Sequence, residues 1–140
     1  MILGFSPGRL LAAGGFLVLA LSASAQTRVT VEVTAYCDCG KCCGWYRDRL
    51  GTARTRAGNR IKYVGVTASG HKTGKGTVAV DTRVFPFGTV FEIPGYGKAV
   101  ARDRGGSVKG NKIDIWFPTH AEAVAWGKRK KEVRVWYPKP

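Results

Sequence analysis

The fold is written most densely in GTVAVDTRVFPFGTVFEIPGYGKAVARDRGGSVKGNKIDIWFPTHAEAVAWG, residues 76–127. Four strand-length runs recur in it: Thr77 to Asp81, Thr89 to Ile93, Lys98 to Asp103 and Lys112 to Phe117. Apolar and polar residues alternate along them, as expected of strands with one face against a core. Pro94-Gly95, Gly105-Gly106 and Gly110-Asn111 supply the turns. In the last run Ile113, Ile115 and Phe117 share one face, while Asp114 and Trp116 share the other. Val78 and Val80 likewise oppose Ala79 and Asp81, and Asp103 falls in phase with Ala99 and Ala101. Thr119-His120-Ala121-Glu122 is a capping box, and Ala121, Val124 and Ala125 make an apolar stripe ended by Gly127, which predicts one short helix.

Outward from this stretch, Glu132 to Tyr137 adds a strand. On the other side, Arg28 to Tyr36 adds another, with Val29, Val31, Val33 and Ala35 on one face. Trp45 to Arg60 carries Arg47, Arg49, Arg54, Arg56 and Arg60 against Asp48 alone and has no apolar period, so it is expected to be a long basic loop. Several short strands and one helix predict a small, closed or nearly closed β-barrel. At the start, Arg9 precedes the twelve apolar-rich residues Leu10 to Leu21, and Ala23 and Ala25 hold the small-residue positions of a cleavage site. This is the layout of a secretory signal cut between Ala25 and Gln26, and it falls short of the roughly 20 residues that span a bilayer. The expected organisation is a signal at 1–25, an N-terminal strand with a Cys knot and basic loop at 26–60, and a barrel at 61–140 that takes its first strand from 28–36.

The chain has 140 residues, 23 of them Lys or Arg and 9 Asp or Glu, for a net charge of +14. With 44% hydrophobic and 23% charged residues it is globular in composition. A multidomain enzyme, a coiled coil and a polytopic membrane protein are excluded. Removing residues 1–25, with Arg9 their only charge, leaves 115 residues at +13. A basic exported protein, in the periplasm, envelope or outside the cell, meets polyanionic wall polymers first. Nothing carries an aromatic or zinc signature for nucleic acid. Gly70 to Gly76 (GHKTGKG) is one residue short of a phosphate loop.

Cys37, Cys39, Cys42 and Cys43 form one knot. An even count in an exported chain favours two disulfides. Pairing Cys42 with Cys43 would join Cα atoms about 3.8 Å apart, below the usual disulfide range. Both 37–42 with 39–43 and 37–43 with 39–42 remain, each bridge contributing about 2 kcal/mol. The competing chemistry is a four-thiolate zinc site, which ordinarily uses two separated Cys pairs. His71 lies in a Gly-rich loop and His120 opens the helix, so neither is read as a ligand; no metal and no cofactor are expected.

Residues 66–70 (VTASG) and 76–127 closely resemble the 3D domain, named for three aspartates and found in bacterial cell-wall lytic enzymes such as membrane-bound lytic transglycosylase A and in stationary-phase survival proteins. TAYCDCGKCCGW (34–45) is similar to the front end of many members. The resemblance implies a six-stranded double-psi β-barrel with one short helix behind a Cys-rich loop, and peptidoglycan as the partner of a single chain with no stable membrane span. It places Asp114 as catalytic acid/base, Asp81 and Asp103 in support, and Thr67, Ser69, Lys109 and Gly110 along a cleft. The usual Asp-Thr-Gly-Gly stands here as Asp103-Arg104-Gly105-Gly106, similar to the Asp-Arg-Gly of rare lipoprotein A barrels. Arg104 beside Asp103 is expected to favour the ionised acid and to clamp a substrate carboxylate. Trp45, Tyr96, Trp116 and Trp136 are candidates for stacking on sugar rings.

The implied reaction is lytic transglycosylation, with one acid/base and the muramic acid 6-hydroxyl as nucleophile. Glycoside hydrolysis needs two flanking carboxylates, and Asp81 and Asp103 are the candidates for a second. A non-catalytic, expansin-like wall-binding module is the other alternative.

Overall fold

The computed structural model describes residues 25–140; the expected export signal lies outside them but for Ala25. The elements in chain order are β1 (Gln26–Tyr36), α1 (Gly40–Cys43), β2 (Trp45–Arg47), β3 (Ala53–Thr55), β4 (Thr77–Val80), β5 (Val90–Ile93), β6 (Gly97–Asp103), β7 (Lys112–Trp116), α2 (His120–Trp126) and β8 (Arg129–Trp136). Six strands close a barrel in the order β1, β7, β4, β6, β5, β8. The β1–β7 and β4–β6 pairs are parallel and the other four antiparallel. Two parallel pairs between crossing connections make this the double-psi barrel.

Alternation fills the barrel. Each strand sends two apolar side chains inward: Val31 and Val33, Val78 and Val80, Phe91 and Ile93, Ala99 and Ala101, Ile113 and Ile115, Val133 and Val135. Removing such side chains from water contributes about 1.5–3 kcal/mol for each Val, Ile or Phe. Aromatic groups pack at both ends of the β5–β8 pair. Phe85 meets Phe91 edge-on at 5.1 Å and stacks on Tyr137 at 6.2 Å. At the other end Trp126 meets Tyr96 and Phe117.

Several sequence expectations change in detail. The Cys-rich loop contains a helical turn, α1, closed by Gly44 in the left-handed region (φ 68°), so there are two short helices rather than one. The basic stretch is not all loop: Trp45–Arg47 pairs with Ala53–Thr55 around a turn in which Asp48 accepts from the Leu50 and Thr52 N–H groups and pairs with Arg54. A three-residue hairpin lying outside the barrel has no period to read. β4 stops at Val80 because the Asp81 carbonyl begins a turn, accepting from Val84 N and Phe85 N. β8 starts at Arg129 because the long β1 pairs with it as far back as Val33. No helix among the described residues is long and apolar enough to cross a membrane.

Candidate active site

Four adjacent strands carry one row of outward residues. Thr34 on β1 is in register with Asp114 on β7, Asp114 with Ala79 on β4, and Ala79 with Asp103 on β6. Ile113 and Ile115 are fully buried, so parity turns Asp114 outward, as the sequence predicts. It faces a cleft of about 360 Å³ shared with Asp103, Tyr36 and Asp38. Thr34 Oγ1 donates to Asp114 Oδ1 at 2.8 Å. Burial lifts the Asp114 carboxyl above its ordinary range and the charge of Asp103 pushes the same way; the Thr34 hydrogen bond and Lys112 oppose this without reversing it.

Asp103 reaches the row through a bulge. Val78 pairs with Ala101, but Ala79 pairs with Asp103, so Arg102 is an extra residue on β6. The insertion turns Asp103 from the face of Ala99 and Ala101, where strict alternation would put it, onto the face of Ala79. There its carboxylate accepts three hydrogen bonds: Tyr36 Oη at 3.0 Å, Ala68 N at 2.9 Å and Arg104 N at 2.8 Å. Burial and the Asp103 carboxylate push the Tyr36 hydroxyl far above the ordinary phenol range, which keeps it a donor.

The other wall is held by Asp38, which the sequence does not single out. Its carboxylate accepts from Trp116 Nε1 at 3.0 Å and Thr73 Oγ1 at 2.6 Å, and its carbonyl accepts from Trp45 Nε1 at 2.9 Å. Trp116 is thereby directed to Asp38 and packs with Tyr36, Ala79 and Val108. Trp45 lines the cleft, whereas Tyr96 belongs to an aromatic cluster.

The remaining candidates divide between cleft and frame. Arg104, Gly105 and Gly106 line the cleft. The Arg104 guanidinium sits 5.7 Å over the Phe87 ring, and Arg104 touches Asp103 through its backbone N–H. Thr67 and Ser69 shape the loop that delivers Ala68 N: Thr67 Oγ1 accepts from His71 N, and Ser69 Oγ donates to the Arg102 carbonyl. Asp81 is buried and chelated by Arg83 through Nε and Nη2, at 2.9 and 2.8 Å, with Gly110 N at 3.0 Å. The Arg83 fork above all, and then the Gly110 N–H, hold its carboxyl well below the usual range. Asp81 thus ties the turn after β4 to the loop carrying Lys109 and Gly110.

All four cysteines are free thiols. Cys37, Cys39 and Cys42 converge on His120, the first residue of α2, their ligand atoms all within 4.8 Å of one another. Cys43 stands apart, exposed, its thiol donating to the Cys37 carbonyl at 3.1 Å.

With this geometry in place, the family model of the 3D domain matches residues 76–139. The match takes in β4 to β8 and with them all three aspartates of the row and turn. The chain is 40% identical over 88 residues to the cell wall-binding protein YocH of Bacillus subtilis, covering 60% of this chain and 31% of YocH. It therefore spans about a third of that relative. Among solved structures, MltA from E. coli is similar at 25% identity over 58% of this chain and 30% of that one, with a TM-score of 0.44. E. coli MltA with bound chitohexaose is similar at 24% identity over 59% and 30%, with a TM-score of 0.46. β1, which brings Thr34 and Tyr36 to the cleft, lies outside the family match.

Proposed function

We propose that the protein is an exported lytic transglycosylase that cuts the glycan strands of peptidoglycan with Asp114 as sole acid/base. The observation that carries this is the unequal state of the two acids in the row. Asp114 has one side-chain hydrogen-bond partner, Thr34, and burial raises its pKa, which favours the protonated form that a general acid needs. Asp103 is engaged by three donors and is poorly free to activate water or attack carbon. Asp114 gives its proton to the leaving glycosidic oxygen as the bond to the muramic acid anomeric carbon breaks. The carboxylate then takes the proton of the 6-hydroxyl, whose oxygen bonds that carbon and leaves a 1,6-anhydro end without consuming water. Burial raises the Asp114 pKa and Asp103 adds to that rise, Tyr36 holds Asp103, and Asp81 steadies the loops from a distance. The basic surface supports an anionic wall as substrate, and the resemblance to YocH supports the same polymer.

Digestion of purified sacculi in heavy-oxygen water, followed by mass analysis, tests this. The expected fragments end in 1,6-anhydro muramic acid and carry no label. Asp114→Asn should release less than roughly one part in a hundred of the wild-type fragments, since positioned proton transfer contributes about 10²–10⁴-fold, while still adsorbing to sacculi. Labelled reducing ends would show hydrolysis, and full activity of Asp114→Asn would remove this residue from the chemistry. The description of YocH favours a second reading, a module that adsorbs to the wall without cutting it; adsorption with no soluble fragments from the wild type would establish that one.

A further inference from the structure

We propose that Cys37, Cys39, Cys42 and His120 bind one structural zinc ion. The metric argument is direct. Zinc holds thiolate sulfur at about 2.3 Å and imidazole nitrogen at about 2.0–2.1 Å in a tetrahedron. The edges of that tetrahedron are about 3.8 Å between two sulfurs and about 3.6 Å between sulfur and nitrogen. Cys37 Sγ lies 3.7 Å from Cys42 Sγ, and His120 Nδ1 lies 3.5 Å from Cys39 Sγ and 3.4 Å from Cys42 Sγ. These three spacings match three of the six edges of a zinc tetrahedron, and the other three lie within 4.8 Å.

The chemistry agrees with the metric. Three sulfurs and one imidazole form a closed set that leaves no position for water, which is the mark of a structural rather than a catalytic site. The sequence offers four cysteines, but the fold selects three: Cys43 points to the Cys37 carbonyl and is not in the group. His120 replaces it from 77 residues beyond Cys43. Two disulfides would need Cys43 as a partner for one of the other three, yet those three turn toward His120. The first turn of α2 is fixed independently by the Thr119–Glu122 capping box, so His120 is presented on a preset frame. A metal here would clip the segment after β1 to α2. Asp38 sits between two of its ligands and Tyr36 directly precedes the first, so the clip would also steady the far wall of the cleft.

This proposal stands apart from the catalytic one, because its readouts are metal content and spectra. The full chain purified without chelator should contain one zinc per molecule by elemental analysis, and denaturation with chelator should release four alkylatable thiols. Cobalt in place of zinc should give the intense visible bands of a tetrahedral site with thiolate-to-metal charge transfer. His120→Ala should weaken zinc binding more than roughly 100-fold, beyond what loss of an outer-shell group costs. His120→Cys should keep stoichiometric metal with an all-sulfur cobalt spectrum, and Cys43→Ser should keep it with the spectrum unchanged. The two retained sites separate lost ligation from failed folding. Metal-free protein about 4 Da lighter than the fully reduced chain, as two disulfides require, would overturn the proposal. So would zinc binding lost in Cys43→Ser or unaltered in His120→Ala.

Discussion

Asp114 draws its chemistry from its neighbours. Thr34 is the hydrogen-bond donor that favours the carboxylate, so Thr34→Val should raise the Asp114 pKa further. The alkaline limb of the kcat profile, where the acid loses its proton, is expected to move to higher pH; a profile moving the other way would contradict the assignment. Stability carries the same sign. A carboxyl whose folded pKa is raised contributes stability below its unfolded pKa and loses it as pH rises through the folded one. Asp114→Asn should therefore gain thermal stability relative to wild type with increasing pH, and the gain should be larger when Asp114→Asn is made in, and compared with, the Thr34→Val background. Strand parity placed Asp114 outward from sequence alone, and the same parity in 28–36 sets Thr34 and Tyr36 opposite Val31 and Val33. Asp103 was legible only as a family position, because one inserted residue reverses its face. Asp38 was hidden inside a cysteine motif, its partners Thr73 and Trp116 lying 35 and 78 residues away.

Among the elements, the start of α2 could be read because a capping box is local chemistry, but its buried side could not. The expected stripe of Ala121, Val124 and Ala125 is exposed, and Ala123 and Trp126 face inward because Trp126 packs on Tyr96 and Phe117. The turn α1 could not be read, since four residues, two of them cysteines, have no periodicity, and the turn is held by the Gly44 cap and by close packing of Gly40 on Trp45. A Cβ on Gly40 would stand 2.1 Å from the Trp45 carbonyl oxygen, whereas one on Gly106 would meet nothing within 4 Å. Gly40→Ala should accordingly lower stability by about 1–3 kcal/mol, the usual cost of overpacking, and should weaken the Trp45 hold on the Asp38 carbonyl. Gly106→Ala, on the cleft wall, should leave the melting temperature nearly unchanged. Paired thermal melts of the two variants check this; equal destabilisation would contradict the packing of α1 against β2. The hairpin of β2 and β3 escaped the sequence for the opposite reason, being held by Asp48 and not by a buried face.

Across the whole molecule, all nine acids have defined partners. Five pair with basic side chains, Asp38, Asp103 and Asp114 line the cleft, and Glu122 caps α2. The cationic excess is left on the outside. Adsorption of Asp114→Asn to sacculi should then fall by roughly tenfold or more between about 0.01 M and 1 M salt, as the screening length shrinks from about 30 Å to about 3 Å. Salt-independent adsorption would point to sugar stacking instead. The strand order carries a further consequence, for the time course of folding. β1 is made first, yet its two barrel neighbours are β7 and β8, the last strands made. Until residues 129–136 have left the ribosome, β1 and β5 each lack a partner and the cylinder has an open seam. Contacts spanning about a hundred residues place the molecule among slow folders, at milliseconds to seconds. A growing chain built this way cannot close its barrel before its final strand, and an unclosed barrel is easier to thread through a narrow channel.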